Sequence, residues 1–257
     1  MKKELEAFDR LLGIMDELRE KCPWDKKQTI ESLRTLTIEE TYELADAIIK
    51  NDMQELKKEL GDLMLHIVFY AKIGSERKEF NITDIIQGIS EKLIHRHPHV
   101  FGDVEVKDHR EVEENWEEIK MKEKDRDSSV LSGVPESLPA LVKANRIQQK
   151  VRGVGFDWDE RSQIWDKVKE ELEELQHEVE TEDQEKIEAE FGDMFFSLIN
   201  AARLYDVDPE TALERTNKKF IKRFNYLEEQ TIKKGKSLRD MNLDEMNVVW
   251  EAAKKFD

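Results

Sequence analysis

Apolar residues recur at three- and four-residue spacing over most of the chain, which is the pattern of amphipathic helices. In segment 53–73 the apolar set comprises Met53, Leu56, Leu60, Leu63, Leu65, Ile67 and Val68. The spacing predicts helices over 4–20, 30–50, 53–73, 83–96, 138–152, 160–180, 183–205, 209–233 and 243–256. The pattern therefore predicts an all-α fold.

One long segment, 121–139, lacks this periodicity. Its sequence, MKEKDRDSSVLSGVPESLP, is polar at first and then contains Ser, Gly and Pro. Such a composition is typical of a connection between folded elements. It predicts an N-terminal domain at 1–126, a linker at 127–137 and a C-terminal domain at 138–257.

Acidic motifs repeat between the two halves in a fixed order. The motif E-E-x-x-E at 39–43 recurs at 170–174, and E-x-G-D at 59–62 recurs at 190–193. Both motifs recur at an offset of 131 residues. Two copies indicate duplication of one helical unit of about 120 residues, whereas a solenoid needs three or more repeats.

The repeated acids belong to consecutive predicted helices. A helix turns about 100° per residue, so Glu39, Glu40 and Glu43 share one face, and Glu59 and Asp62 share a face of the next helix. Carboxylates crowded together cannot all stay ionised without a cation. A hard divalent ion would relieve this, and Mg2+ is the usual choice when phosphates complete its shell, with Mn2+ as an alternative. The second copy of the set is Glu170, Glu171, Glu174, Glu190 and Asp193.

Composition narrows the class of protein. Charged residues make up 39% of the chain and the formal net charge is −17, which disfavours general nucleic-acid binding. A single cysteine, Cys22, excludes an internal disulfide or a zinc–cysteine cluster and is expected to be a part-buried thiol. The start has no apolar signal region, and the longest apolar stretches are too short to span a bilayer. We expect a soluble, cytoplasmic protein without membrane or nucleic-acid partners.

Basic and aromatic residues supply the other half of a phosphate site, and they also recur. Lys92 and Arg96 lie one helical turn apart, as do Lys219 and Arg223. Arg offers a bidentate fork to phosphate and Lys a mobile point charge. A Trp able to stack on a base precedes a Lys by one turn in each half; these pairs are Trp116 with Lys120 and Trp250 with Lys254.

The run H-R-H-P-H at 95–99 is a weaker signal. Alternate spacing across a Pro is not a helical ligand pair, and no Cys accompanies it. We interpret it as a turn that docks on the domain rather than as a zinc site.

Together these motifs resemble those of a known family. E-E-x-x-E followed by E-x-x-D on the next helix is similar to the pattern of MazG, the all-α nucleoside triphosphate pyrophosphohydrolases. C-P-W-D before the first set, H-R-H-P-H-V-F-G after it and G-F-D-W-D before the second resemble the two-domain bacterial members. The resemblance covers essentially the whole chain. It implies tandem helical domains, a homodimer with intertwined helices, and Mg2+-dependent release of pyrophosphate from nucleoside triphosphates.

The resemblance also implies roles for individual residues. The implied metal ligands are Glu171, Glu174, Glu190 and Asp193 in the second domain, and Glu40, Glu43, Glu59 and Asp62 in the first. The implied nucleotide contacts are Lys167, Glu170, Lys186, Lys219, Arg223, Trp250 and Lys254, with Lys92, Arg96, Trp116 and Lys120 in the first domain. The first domain departs from the pattern, since Leu36 or Thr37 lies near the place of Lys167 and Lys58 only roughly replaces Lys186.

The resulting hypothesis is hydrolysis of a nucleoside triphosphate to a monophosphate and pyrophosphate. Lys219, Arg223 and Arg96 are the candidate groups that offset charge on phosphate oxygens. The remaining acid of each set, Glu170 or Glu39, is the candidate that orients or deprotonates the attacking water. Stacking on Trp predicts broad base tolerance, which suits removal of non-standard or excess nucleotides.

Three alternatives remain open. One of the two sites could hydrolyse inorganic pyrophosphate with the same acids and cations. A di-iron bundle requires two E-x-x-H pairs, and only Glu174 with His177 fits, because Asp46 stands at the equivalent position. The third alternative is a non-catalytic helical module that binds a partner.

Overall fold

The computed structural model describes residues 2–109, 111–112, 115–116, 119–120, 129–233, 235 and 237–256. The chain divides into two compact units, Met1–Trp116 and Glu117–Asp257. The described residues of both units form helices and connecting segments without a β-strand, so the all-α prediction is confirmed.

The first unit contains a long helical hairpin between two flanking helices. Its helices are α1 (Lys2–Lys21), α2 (Ile30–Lys50), α3 (Met53–Glu76), α4 (Ile82–Arg96) and the short α5 (Pro98–Phe101). A 3-10 turn at Asp25–Lys27 joins α1 to α2. Helix α3 packs against both α1 and α2, and this places it at the centre of the unit.

The core of the first unit lies between these three helices. It is formed by Met15 of α1, Leu33 of α2, and Val68, Phe69 and Ile73 of α3. Of the apolar set predicted for 53–73, Val68 lies in this core and Leu65 packs against it, whereas Met53, Leu60 and Ile67 are exposed on α3.

The second unit repeats the hairpin with different flanking helices. Its helices are α6 (Ala140–Arg152), α7 (Ile164–Thr181), α8 (Gln184–Leu204), α9 (Pro209–Lys233) and α10 (Leu243–Ala253). Short 3-10 turns occupy Val130–Gly133, Leu238–Asp240 and Lys254–Phe256. Helix α8 packs on α7, α6 and α9, and Ile164, Val168 and Ala201 form a buried cluster between α7 and α8.

The predicted helix bounds agree with the structure with one clear exception. Helix α7 begins at Ile164 rather than at residue 160, because residues 160–163 form a turn in which the Glu160 amide donates to the Gln163 side chain. The H-R-H-P-H run ends α4 and opens α5, with Pro98 in the first turn of α5.

Two further expectations can be compared with the structure. Cys22 is half-buried, as predicted. Part of the predicted linker lies outside the described residues, and its later part contains the 3-10 turn Val130–Gly133, which packs on α6. Among the helices of the described part, none is long and apolar enough to cross a membrane.

Candidate metal and phosphate site

Each acidic set is carried by a helical hairpin with the same type of corner. Only residues 51–52 separate α2 from α3, and only residues 182–183 separate α7 from α8. The first corner residue is left-handed in both cases, with φ of 54° at Asn51 and 58° at Glu182. The second is an Asp whose carboxylate caps the next helix through backbone amides. The short corner keeps the two helices antiparallel and brings their acidic faces together.

In the first unit the hairpin places three carboxylates in one small volume. Glu40 and Glu43 come from α2 and Glu59 from α3, and one oxygen of each lies within 4.8 Å of the other two. Glu59 is fully buried, whereas Glu43 is exposed. The Oε2 atom of Glu59 has no hydrogen-bond partner among the described residues. An unpaired buried carboxylate oxygen is costly and indicates a position where a cation can bind.

The charges in this cluster perturb one another. Burial raises the pKa of Glu40, and so do the neighbouring carboxylates Glu59, Asp62 and Glu43. The Lys58 ammonium lies 2.9 Å from Glu59 Oε1 and lowers the pKa of Glu59, which outweighs burial. Within this cluster Glu40 therefore binds a proton more readily than Glu59 does.

The second unit repeats the cluster. Glu171 and Glu174 of α7 and Glu190 of α8 each contribute an oxygen, again within 4.8 Å of one another. Glu171 is buried and Glu190 is half-buried. Burial raises the pKa of Glu190, and the carboxylates of Glu174 and Asp193 raise it further. The two units thus bring equivalent acids together, but the buried acid is Glu59 in the first unit and Glu171, the equivalent of Glu40, in the second.

These clusters fit a hard divalent cation. All the donors are carboxylate oxygens, which Mg2+ and Mn2+ prefer. Mg2+ binds its oxygen ligands at about 2.1 Å, so carboxylate oxygens that lie within 4.8 Å of one another can reach one ion after small side-chain movements. Neither close group includes His177, the one histidine in the sequence that fits the di-iron pattern.

Four predicted acids lie outside the two close groups. Asp62 and Asp193 are near enough to raise the pKa of Glu40 and Glu190 respectively, which places them at the edge of each cluster. Glu39 is exposed on α2. Glu170 is exposed on α7 and accepts a hydrogen bond of 2.7 Å from Lys167.

The predicted Trp residues form the same contact in both units. The guanidinium of Arg96 lies 5.9 Å from the ring centre of Trp116, and that of Arg223 lies 5.6 Å from the ring of Trp250. Each distance is that of a cation–π pair. The sequence placed Arg and Trp in one functional set in each half, and the structure brings them together.

The predicted lysines are distributed over several partners. Lys167 pairs with acids of its own helix, and Lys186 lies 3.6 Å from Glu178 of the facing helix. Lys254 pairs with Glu251 at 2.5 Å. The other predicted lysines, Lys92, Lys219 and Lys120, lie on the surface or are half-buried.

Sequence reasoning did not identify several contacts. Lys58, which the sequence offered only as a rough replacement for Lys186, pairs with Glu55 and Glu59, and its i, i−3 spacing to Glu55 was the available signal. The ring of His97 meets Trp116 edge-on at 4.7 Å, whereas Phe220 lies 4.9 Å from Trp250. No spacing rule links these aromatic pairs, because they join different segments of the chain.

Fold and site together define an all-α protein in which two helical hairpins each carry a carboxylate cluster, and each unit also contains an Arg–Trp pair. The MazG nucleotide pyrophosphohydrolase domain model matches residues 28–101 and 160–227, so that each match includes one hairpin. The chain belongs to the MazG family, and the tandem domain organisation is that of two copies of this domain.

Several relatives match nearly the whole chain. The nucleoside triphosphate pyrophosphohydrolase/pyrophosphatase MazG of Thermotoga maritima is 43% identical over 100% of this chain and 99% of its own length. The nucleoside triphosphate pyrophosphohydrolase of Escherichia coli K12 is 41% identical over 98% of both chains. YabN of Bacillus subtilis is 48% identical over 97% of this chain but only 52% of its own length.

Proposed function

We propose that this protein is a Mg2+-dependent nucleoside triphosphate pyrophosphohydrolase. It hydrolyses the bond between the α and β phosphorus atoms and releases a nucleoside monophosphate and pyrophosphate. The observation that carries the proposal is the duplicated carboxylate cluster, in a chain whose full-length relatives are named for this activity.

The acids hold the cation. Glu171, Glu174 and Glu190, with Asp193 at the edge of the cluster, supply carboxylate oxygens in the second unit. A bound Mg2+ supplies positive charge for phosphate oxygens and makes nearby water more acidic. The mutual repulsion of these carboxylates favours cation binding, because the cation removes the cost of confining like charges.

We assign to Glu170 the role of orienting or deprotonating the attacking water. It lies outside the close carboxylate group, and its exposed side chain leaves it accessible to a water molecule. A carboxylate within hydrogen-bond reach of the water can orient it and accept its proton. Glu39 has the corresponding position in the first unit.

Lys219, Arg223 and Trp250 bind the rest of the substrate in this proposal. Cations beside the phosphates offset the charge that develops on their oxygens in the transition state. Trp250 stacks on the base, and every base offers a π face, so the site tolerates many bases. Arg96 and Trp116 have the same roles in the first unit.

Variants in which one or both carboxylate clusters are disabled test the assignment of the metal-site acids. With Glu40 and Glu43 already changed to Gln, further changes of Glu171 and Glu174 to Gln are expected to abolish release of monophosphate and pyrophosphate. Glu173→Gln is the matched control, because Glu173 is exposed on the same helix and outside the cluster. Unchanged turnover in the protein that lacks both clusters contradicts the assignment.

A second candidate function is hydrolysis of inorganic pyrophosphate by one of the two units. The same acids and cations suit this substrate, and the name of the T. maritima relative includes pyrophosphatase. Phosphate release from pyrophosphate, measured with each cluster disabled in turn, decides between the two functions.

We also propose that the protein is a homodimer. Apolar side chains stand exposed on the hairpin helices: Leu60, Met64 and Ile67 on α3, and Phe191, Phe195 and Phe196 on α8. Exposed apolar surface of this kind is typical of an interface. Light scattering coupled to size-exclusion chromatography is expected to give about twice the chain mass, and a monomer at micromolar concentration contradicts the proposal.

A further inference from the structure

One lysine of the second unit already neutralises part of the carboxylate cluster. The Lys167 Nζ atom lies 2.7 Å from Glu170 Oε1 and 2.7 Å from Glu171 Oε1. Glu170 and then Glu171 raise the pKa of Lys167 well above its usual range, so that the ammonium keeps its charge. Lys167 therefore acts as an internal cation for one acid of the cluster and for the acid beside it.

This ion pair competes with a metal. An oxygen of the buried Glu171 that accepts from an ammonium has less charge to offer a divalent ion, and the two cations repel each other. The pair is not an ordinary surface salt bridge, because the Glu171 side chain is only 8% exposed. Lys167 is 36% exposed and has a flexible stem, so its ammonium can move to another anion.

We propose that Lys167 is a positioning residue that couples nucleotide binding to cation binding at the second-unit cluster. This inference rests on the proposed function, because the anion that attracts the ammonium away from Glu171 is a phosphate group of the nucleotide. The departure of Lys167 frees Glu171 for the metal. By linkage the metal in turn releases Lys167 for phosphate, so each ligand favours the other.

The first unit lacks this device on the corresponding helix. Leu36 packs against the core, and the Thr37 hydroxyl is hydrogen-bonded to the Tyr70 hydroxyl at 2.8 Å. Helix α2 therefore has no ammonium group at the position that corresponds to Lys167. Its internal cation is Lys58 of α3, which bridges Glu59 and Glu55 at 2.9 Å each. Glu55, like Glu170 of the second unit, lies outside the close carboxylate group, but Lys58 belongs to the opposite helix of its hairpin. The first cluster is therefore neutralised from a different position.

Metal binding without any nucleotide gives the first test. Mn2+ binding is measured by electron paramagnetic resonance on the full-length protein, with Glu40 and Glu43 changed to Gln in every sample. Lys167→Met is expected to bind Mn2+ about tenfold more tightly than the parent, since it removes one positive charge beside a divalent ion. Lys167→Arg keeps the charge and is expected to bind like the parent. Lys169→Met is the matched control, because Lys169 pairs only with Asp166 among the described residues.

The second test adds the non-hydrolysable nucleotide α,β-methylene-ATP. The factor by which it tightens Mn2+ binding to the protein is expected to be about tenfold smaller in Lys167→Met than in the parent, because the coupling carried by Lys167 is lost. Unchanged or weaker Mn2+ binding by Lys167→Met, or an unchanged coupling factor, overturns the proposal. Absence of hydrolysis by the unmodified protein contradicts the proposed function instead, and the Mn2+ measurement without nucleotide does not depend on it.

Discussion

Replacing Arg203 by Met tests how the segment before α7 is held. The Arg203 guanidinium at the end of α8 donates two hydrogen bonds to Asp157, at 3.0 and 2.5 Å. Arg203 is 7% exposed and Asp157 is 20% exposed. Asp157 belongs to the D-W-D motif that precedes the helix bearing the metal-site acids, so this ion pair connects that motif to the other helix of the hairpin.

The expected magnitude follows from burial and geometry. Burial alone raises the pKa of Asp157, but the hydrogen bonds from Arg203 and the Trp158 amide outweigh it, and the pKa is lowered overall. Removing Arg203 from this largely buried, bidentate pair leaves Asp157 with only the more distant Arg152, at 3.7 Å, and costs about 3 kcal/mol. For a unit of this size, that corresponds to a decrease of roughly 6–10 °C in the melting temperature.

Differential scanning calorimetry of the full-length protein measures this change. Only the transition of the second unit is expected to shift, and Arg203→Met combined with Asp157→Asn is expected to recover about 2 kcal/mol relative to additive losses. Because the folded-state pKa of Asp157 is lowered, its contribution is present above the unfolded pKa and lost as pH falls through the folded value. A loss below about 0.5 kcal/mol at pH 7 refutes the reasoning, since that is the range of an exposed ion pair.

Three further predictions concern the core, the cluster and the base site. Leu33→Ala is expected to cost about 3–4 kcal/mol in the free energy of unfolding, because Leu33 is fully buried; a loss below 1 kcal/mol in calorimetry contradicts this. The raised pKa of Glu190 means that protons compete with Mg2+ as pH falls, so the Mg2+-induced rise in melting temperature should be larger at pH 8 than at pH 5; an equal rise speaks against cation binding there. Trp250→Ala should raise KM for ATP, GTP, CTP and UTP by a similar factor, roughly 5- to 50-fold; a change confined to one base excludes non-specific stacking.

The fold was largely predictable because it depends on local periodicity. The apolar faces of α2, α3, α7 and α8 follow the three- and four-residue spacing seen in the sequence, and Asp52 and Asp183 are typical N-terminal caps. The corner residue Glu182 is less obvious, since Glu has no special preference for positive φ. It adopts that conformation because the packing of α7 on α8 determines the path of the corner.

The candidate site was predictable in composition but not in pairing. The repeated spacing identified Glu40, Glu59, Glu171 and Glu190, and each lies in its cluster. The partner of Asp157 could not be found in the same way, because Arg203 is 46 residues away and the contact depends on tertiary packing. Spacing shows which residues share a helix face, whereas ion pairs between helices require the packed hairpin.

The two lysines show how the duplicated site diverged under one physical constraint. Each hairpin brings at least three carboxylates within 4.8 Å, so each needs a positive charge nearby whether or not a metal is bound. Lys167 supplies it from α7 in the second unit, and Lys58 supplies it from α3 in the first. Lys167 and Lys58 do not occupy equivalent positions in the repeat. The acids therefore recur at the same offset in both units, whereas the lysine that neutralises them does not. The two units therefore retain the same acids but neutralise them from opposite helices of the hairpin.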